Sequence, residues 1–166
     1  MTITNWAGNI TFAAPALLRP RSVDEIRAMV ARAPQLHALG AGHSFSPVAD
    51  SPGALITLDG MPHEIEIDSR RATVAVGAGV RYAELAQHLD ARGLALAALA
   101  SLPHISVAGA VATGTHGSGD RNGSLATSVA GIEMVTAEGD LAVIGPGEIS
   151  GAVVALGALG VSPASR

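Results

Sequence analysis

Three Gly-x-Gly turns punctuate this chain, in "GAGHSF", "VGAGV" and "TGTHGSG", and each adjoins a short apolar stretch. Glycine serves where a turn needs positive φ or where the backbone must be approached closely. The pattern therefore predicts a fold of short strands and helices joined by tight turns. It does not predict the usual nucleotide motifs. "GAGHSF" and "GAGVRY" lack the third glycine of the dinucleotide fingerprint, and "GTHGSG" lacks the lysine of a P-loop. No segment matches the G-x-S-x-G nucleophile elbow either. Successive main-chain N–H groups in glycine turns can nonetheless hold an anion without any cation. The three loops together point to a diphosphate gripped by main chain, Ser/Thr hydroxyls and helix N-termini. Taken singly, each reads first as a tight turn and nothing more.

Lysine is absent altogether: all 10 basic residues are arginine, which removes Schiff-base chemistry. The 166 residues suit one domain or two small subdomains, and 48% hydrophobic against 14% charged is a core-forming composition. A net charge of -4 and a pI near 5.8 argue against a protein that tracks nucleic-acid phosphates. Trp6, Phe12, Phe45 and Tyr82 are too few aromatics for base stacking. The absence of cysteine excludes disulfides, thiolate metal sites and cysteine nucleophiles, and fits a cytoplasmic protein. "MTITNWAGN" has neither the basic start nor the apolar run of a signal peptide. The uncharged run from Gly93 to Gly119 is broken by Pro103, His104, glycines, serines and threonines, so no membrane span is expected.

The elements expected are those of an α+β fold. "RPRSVDEIRAMVARAPQ" predicts a helix capped by Ser22, with Glu25 completing a capping box and Pro34 stopping it. "LHALGAG" follows as a strand running into a glycine turn, a strand–helix–strand beginning that places a ligand loop at a strand's carboxyl end. "ALITLDGM" is another short strand. "HEIEIDSRRATVAVGAGV" alternates as a hairpin turning at Asp68–Arg71, and "RYAELAQHLDARG" is a helix stopped by Gly93. After it come a short strand in "LALAALASLP" and a small-residue helix, Val107 to Ala112, with Ser106 as its cap. "VAGIEMVTAEGDLAVI" is a second hairpin turning at Glu138–Asp140, and Ile149–Leu156 a last helix. Residues 162–166 fit no element. The strand that "GALGV" should enter is not visible, and Pro163 argues against one in mid-sheet. The chain thus reads as cut short, with an exposed sheet edge.

Among the six histidines, none is spaced for a metal site, and no metal is expected. His43, flanked by glycine and set in a turn, is either a hydrogen-bonding loop residue or a functional ring. Ser101 and Ser106 flank Pro103. Ser101 with His104 could in principle make a hydrolase, but no acid lies in sequence reach.

"TNWAGN", "GAGHSFSP", "VGAGVRYAELAQHLDARGLAL", "ASLPHISVAGAVATGTHGSG", "NGSLA" and "GAVVALGALGV" together resemble the alditol (xylitol) oxidases. These are a bacterial branch of the sugar-lactone oxidase flavoproteins, which carry the vanillyl-alcohol oxidase / p-cresol methylhydroxylase type of FAD-binding domain. The resemblance runs from Thr4 to Val161. It implies an α+β FAD-binding domain of two α/β subdomains, about residues 1–60 and 61–161, with 162–166 an atypical tail and the C-terminal substrate domain missing. It implies FAD bonded covalently through its 8α-methyl to His43. It implies that Ala41, Gly42, His43, Ser44, Ser101, Ser106, Gly109, Thr113, Gly114, Thr115 and His116 line the cofactor, with Ser101 at the reactive edge. The implied reaction oxidises a polyol's terminal CH–OH to an aldehyde, with O2 giving H2O2. A chain without the substrate domain is expected to be inactive alone. The alternative is a non-catalytic or decayed FAD-binding fragment.

Overall fold

The computed structural model describes residues 2–166, and it is built from two sheets. The first is a three-stranded parallel sheet of β1 (Ala16–Leu18), β2 (Leu36–Ala38) and β3 (Ala54–Ile56), in the order β1-β3-β2. Leu55 of the middle strand stands opposite Leu17 on one side and His37 on the other. Helix α1 (Val23–Arg32) makes the crossover from β1 to β2. Ser22 caps it: its Oγ accepts from the Glu25 N–H at 3.2 Å. The reciprocal bond differs from a strict capping box, because Glu25 Oε2 accepts from the N–H of Arg21 at 2.8 Å, one residue before the cap.

The second sheet is antiparallel, in the order β4-β5-β8-β6-β7. The hairpin of β4 (Ile65–Asp68) and β5 (Thr73–Gly77) forms as the alternation requires, with Ile65 opposite Val76 and Asp68 opposite Thr73. The second hairpin joins β6 (Ile132–Val135) to β7 (Leu141–Ile144), and Gly139 takes φ +84 in its turn. Between the hairpins lie α2 (Tyr82–Asp90) and α3 (Val107–Ala112). Past the end of α2, Gly93 at φ +67 donates to Asp90 O, and Leu94 N–H returns to Leu89 O at 3.0 Å, which closes the helix.

Three expectations fail here. No strand forms over 94–101, where the run alternates too little to pair. Helix α4 covers only Ile149–Ala152, because Leu156 and Gly157 both adopt positive φ and turn the chain. The tail is not irregular: Val161–Ser165 is β8, the middle strand of the second sheet, hydrogen-bonded to β5 and β6. Pro163 is accommodated because the β6–β8 register shifts beside it, between Glu133 and Val135. A proline at such an irregularity gives up no ladder bond, and its carbonyl still accepts from Ala78 N–H at 2.9 Å.

The two sheets share a core. Ile26 and Val30 of α1 and Ile56 of β3 pack with Ala78, Val135 and Val161 of the second sheet region. Ile26, Ile56 and Val135 are wholly buried, each worth roughly 1.5–3 kcal/mol. A second cluster seats α2 and α3 through Tyr82, Leu85, Leu89, Val107 and Val111. A third clamps the N-terminal segment, through Ile3, Phe12 and Ala14, onto Leu55. This packing leaves a cleft between the loop after β2, helix α3 and the turns before β8. Among the described residues no helix is long and apolar enough to cross a membrane.

Candidate cofactor site

The cleft has a volume of about 450 Å³. Its first wall is the loop leaving β2. Leu39 N–H still joins the sheet, bonding Ile56 O at 2.8 Å. Beyond it the loop is held by its carbonyls. Trp6 N–H donates to Gly42 O at 2.8 Å, and Asn5 Nδ2 donates to Ser44 O at 3.1 Å. Asn5 is buried, and its Oδ1 in turn accepts from Ile10 N–H at 3.1 Å. Anchored from that side, the N–H groups of Gly40, Ala41, Gly42, His43 and Ser44 have no partner among the described residues. Gly42, at φ +68, supplies the left-handed turn that such a run of free amides requires.

The opposite wall is α3. Gly40 and Gly109 meet here so closely that a Cβ on Gly40 would lie 3.5 Å from Gly109 Cα. Either added Cβ would also press on the Ser106 hydroxyl, at 2.8 Å from Gly40 and 2.7 Å from Gly109. Ser106 sits at the cap position of α3, yet its side chain makes no capping bond. Its Oγ is instead buried with no hydrogen-bond partner among the described residues. Such an orphaned hydroxyl costs about 1–3 kcal/mol and marks a place where a polar partner belongs.

His43 stands at the end of the free amides. Trp6 stacks on it, with ring centroids 4.3 Å apart and planes at 26°. His43 Nε2 meets His104 Nε2 at 2.6 Å. Burial, then the neighbouring His104 and the Arg81 guanidinium, hold the His43 pKa below its ordinary value. The ring is therefore neutral at neutral pH, with one nitrogen lone pair available. Arg81, the arginine beside the cleft, donates from Nη1 to His104 O at 2.8 Å.

Ala41, Gly42, His43, Ser44, Ser101, Ser106, Gly109, Thr113, Thr115 and His116 all line this one cleft. Gly114 does not; at φ +63 it forms the turn that ends α3 between Thr113 and Thr115. The Thr113 hydroxyl donates to Gly109 O at 3.0 Å, and His116 Nδ1 donates to Gly117 O at 2.9 Å. No hydrogen bond among the described residues joins Ser101 to His104, and none brings a carboxylate to either, so a serine–histidine hydrolase has no support. No group of three metal-ligating side chains forms among the described residues. Of the three glycine loops read as anion nests, "TGTHGSG" departs from that reading in part, since Gly114 N–H bonds Val111 O and Thr115 N–H bonds Ala110 O, and "VGAGV" departs from it more fully. Gly77 N–H bonds Glu64 O, Ala78 N–H bonds Pro163 O and Val80 N–H bonds Gly77 O. Sequence reasoning missed Asn5, Trp6, Gly40 and Arg81. The one tryptophan of the chain was a usable signal. The contacts of Asn5 and Gly40 depend on pairings across 39 and 69 residues that no local pattern reveals.

The FAD binding domain family matches residues 14–145. This chain belongs to that family. The cofactor of the FAD binding domain is FAD, and the site fits it on its own terms: free amides and no lysine for a diphosphate, a close glycine pair, and a buried hydroxyl awaiting a partner. The chain is 54% identical over 164 residues to the alditol oxidase of Streptomyces sp. (strain IKD472 / FERM P-14339), covering 96% of this chain and 40% of that protein. It is 35% identical to a putative D-arabinono-1,4-lactone oxidase of Neurospora crassa, over 94% of this chain and 30% of the relative. With the L-gulono-1,4-lactone dehydrogenase of Mycobacterium tuberculosis it shares 33% identity, over 95% and 38% respectively. The chain thus spans about two fifths or less of the length of these relatives.

Proposed function

We propose that the chain is the FAD-binding part of an alditol oxidase, which oxidises a polyol's terminal CH–OH to an aldehyde and reduces O2 to H2O2. The observation that carries the reading is the run of unpartnered amides at Gly40–Ser44, with an orphaned Ser106 hydroxyl packed beside Gly40. The choice of an alditol over a sugar lactone rests on 54% identity to an alditol oxidase, against 33–35% to enzymes named for lactones.

FAD bound here would supply the acceptor for hydride from the alcohol carbon and the path of its electrons to O2. The chain's own part is to hold and orient. The amides of Gly40–Ser44 bind the diphosphate charge, with Arg81 the cation nearest the same wall. Gly40 and Gly109 let the amide loop close onto α3 at the cleft wall, and Ser106 gains the hydrogen bond it lacks. His43, kept neutral, presents a nucleophilic nitrogen and is the covalent attachment residue. Ala41, Gly42, Ser44, Thr113, Thr115 and His116 complete the cofactor contacts, and Gly114 shapes the turn between the two threonines. Ser101 belongs to the substrate-facing edge, where its hydroxyl hydrogen-bonds the reacting centre.

The test is direct. Protein incubated with FAD and run on a denaturing gel carries flavin fluorescence with the band. His43→Ala loses that fluorescence but still binds FAD. FAD at about 100 times its Kd stabilises the native chain by about 2.7 kcal/mol. A colourless chain that FAD neither binds nor stabilises overturns the whole reading. FAD binding with no H2O2 from xylitol leaves the cofactor site standing and is the result expected of a chain that spans 40% of the length of its alditol oxidase relative.

A further inference from the structure

A second imidazole touches the His43 ring. His104 Nε2 lies 2.6 Å from His43 Nε2, with ring centroids 4.5 Å apart. Two imidazole nitrogens at that distance share one proton: one ring donates and the other accepts. Both rings are held in place. On the His104 side, Arg81 Nη1 grips the His104 carbonyl at 2.8 Å, Tyr82 N–H bonds Ile105 O at 3.1 Å and Ala83 N–H bonds Pro103 O at 2.7 Å. On the His43 side, Trp6 stacks against the ring while its own N–H holds Gly42 O. Among the described residues neither ring makes any other side-chain hydrogen bond, so each is the other's partner.

We propose that His104 is a positioning residue for His43: it accepts the Nε2–H of His43, fixes that tautomer, and so leaves Nδ1 as the nitrogen with a free lone pair for the flavin. The inference rests on His43 being the attachment residue. A neutral imidazole that forms a bond at Nδ1 becomes a cation unless its Nε2 proton leaves; the hydrogen bond to His104 stabilises that developing charge until the proton passes to solvent. The balance closes with O2 as oxidant. One C–H bond of the 8α-methyl and the Nε2–H bond of His43 break. One C–N bond forms at Nδ1, and the two protons with the electron pair pass to O2 as H2O2. Arg81 acts one step further out, fixing the loop from which His104 reaches.

The experiment follows covalent attachment, not turnover. The chain is prepared free of flavin and given FAD in air, and band fluorescence on denaturing gels is followed in time. FAD affinity is measured separately by fluorescence quenching. His104→Ala should slow covalent attachment at least about tenfold, the scale of a lost hydrogen bond to a developing charge, with FAD affinity unchanged within about threefold. His104→Gln, whose amide oxygen can accept the same N–H, should recover most of the rate, which a purely structural role would not predict. Attachment at the wild-type rate in His104→Ala overturns the proposal, as does a His104→Gln chain no faster than His104→Ala. If wild type binds FAD but never attaches it, the His43 assignment itself falls and takes this inference with it.

Discussion

The tripeptide Gly-Ala-Gly occurs at residues 40–42 and again at 77–79, and the fold uses the two copies in opposite ways. The first copy is held by its carbonyls. Gly42 O is gripped by Trp6 N–H and Ser44 O by Asn5, which frees five successive amides along the cleft. The second copy is held by its amides. Gly77 and Ala78 donate to Glu64 O and Pro163 O, tying β5 to its surroundings. Its glycines are needed because other backbone lies against them: a Cβ on Gly77 would fall 2.8 Å from Pro62 O, and one on Gly79 2.7 Å from Leu58 O. A glycine turn is therefore an anion nest only where something else satisfies its carbonyls and nothing takes its amides.

The comparison is broken most easily at Gly79. Its added methyl would meet a backbone oxygen and, at 3.0 Å, the His63 ring, so the main chain itself must move. Gly79→Ala should destabilise the flavin-free chain by about 1–3 kcal/mol, read by chemical denaturation. Gly40→Ala should do the reverse. The atom it crowds is the Ser106 hydroxyl, the free end of a side chain, so stability changes little while FAD affinity falls roughly tenfold, or about 1.4 kcal/mol. Should Gly40→Ala unfold the protein and Gly79→Ala cost only FAD binding, the assigned roles are the wrong way round.

Ser106 sharpens the contrast through a change of sign. Its hydroxyl is buried and unbonded, a cost to the flavin-free fold. Ser106→Ala should raise the melting temperature without FAD, by about 1 kcal/mol of stability, yet weaken FAD binding. A plain capping serine would behave otherwise: its loss lowers stability by about 1 kcal/mol with or without the cofactor. Thermal melts of both proteins, with and without FAD, decide between the two.

How far this could be read in advance follows from the range of each interaction. Helix α1 was legible because Ser22, Glu25 and the apolar spacing lie within ten residues, and both hairpins because alternation and turn are local. Strand β8 was not. It pairs with β5 across about ninety residues, and Pro163 hid it, since only the register shift against β6 makes a proline tolerable there. Within the site, the motif residues were legible, all but Gly114 lining one cleft. Their division of labour was not. Ser106 looks like a cap in sequence, and only Gly40, brought against it from the other sheet, explains why its hydroxyl is shut in without a partner. The difference between the two Gly-Ala-Gly copies is likewise invisible locally, because it lies in Asn5, Trp6, Glu64 and Pro163.

The smallest effect should come from the far support of the open loop. Asp50 accepts from Ala13 N–H at 2.9 Å, Ser51 N–H at 2.8 Å and Ala14 N–H at 3.4 Å. It thereby ties down the N-terminal segment whose Asn5 and Trp6 hold the loop's carbonyls. The bond from Ala13 foremost, with those from Ser51 and Ala14, holds its pKa below the ordinary 3.8. A folded-state pKa below the unfolded one means that the stabilisation is complete above pH 3.8 and fades as the pH falls through the lower, folded value. Asp50→Asn should therefore melt below wild type at neutral pH, and the gap should narrow progressively under acid. The group is exposed to solvent, so the gap is modest and shrinks further with salt. The second Gly-Ala-Gly copy, tied by main chain alone, should show no such acid dependence. A gap that stays constant from neutral pH down through acid would mean that the carboxylate's charge is not what secures the loop.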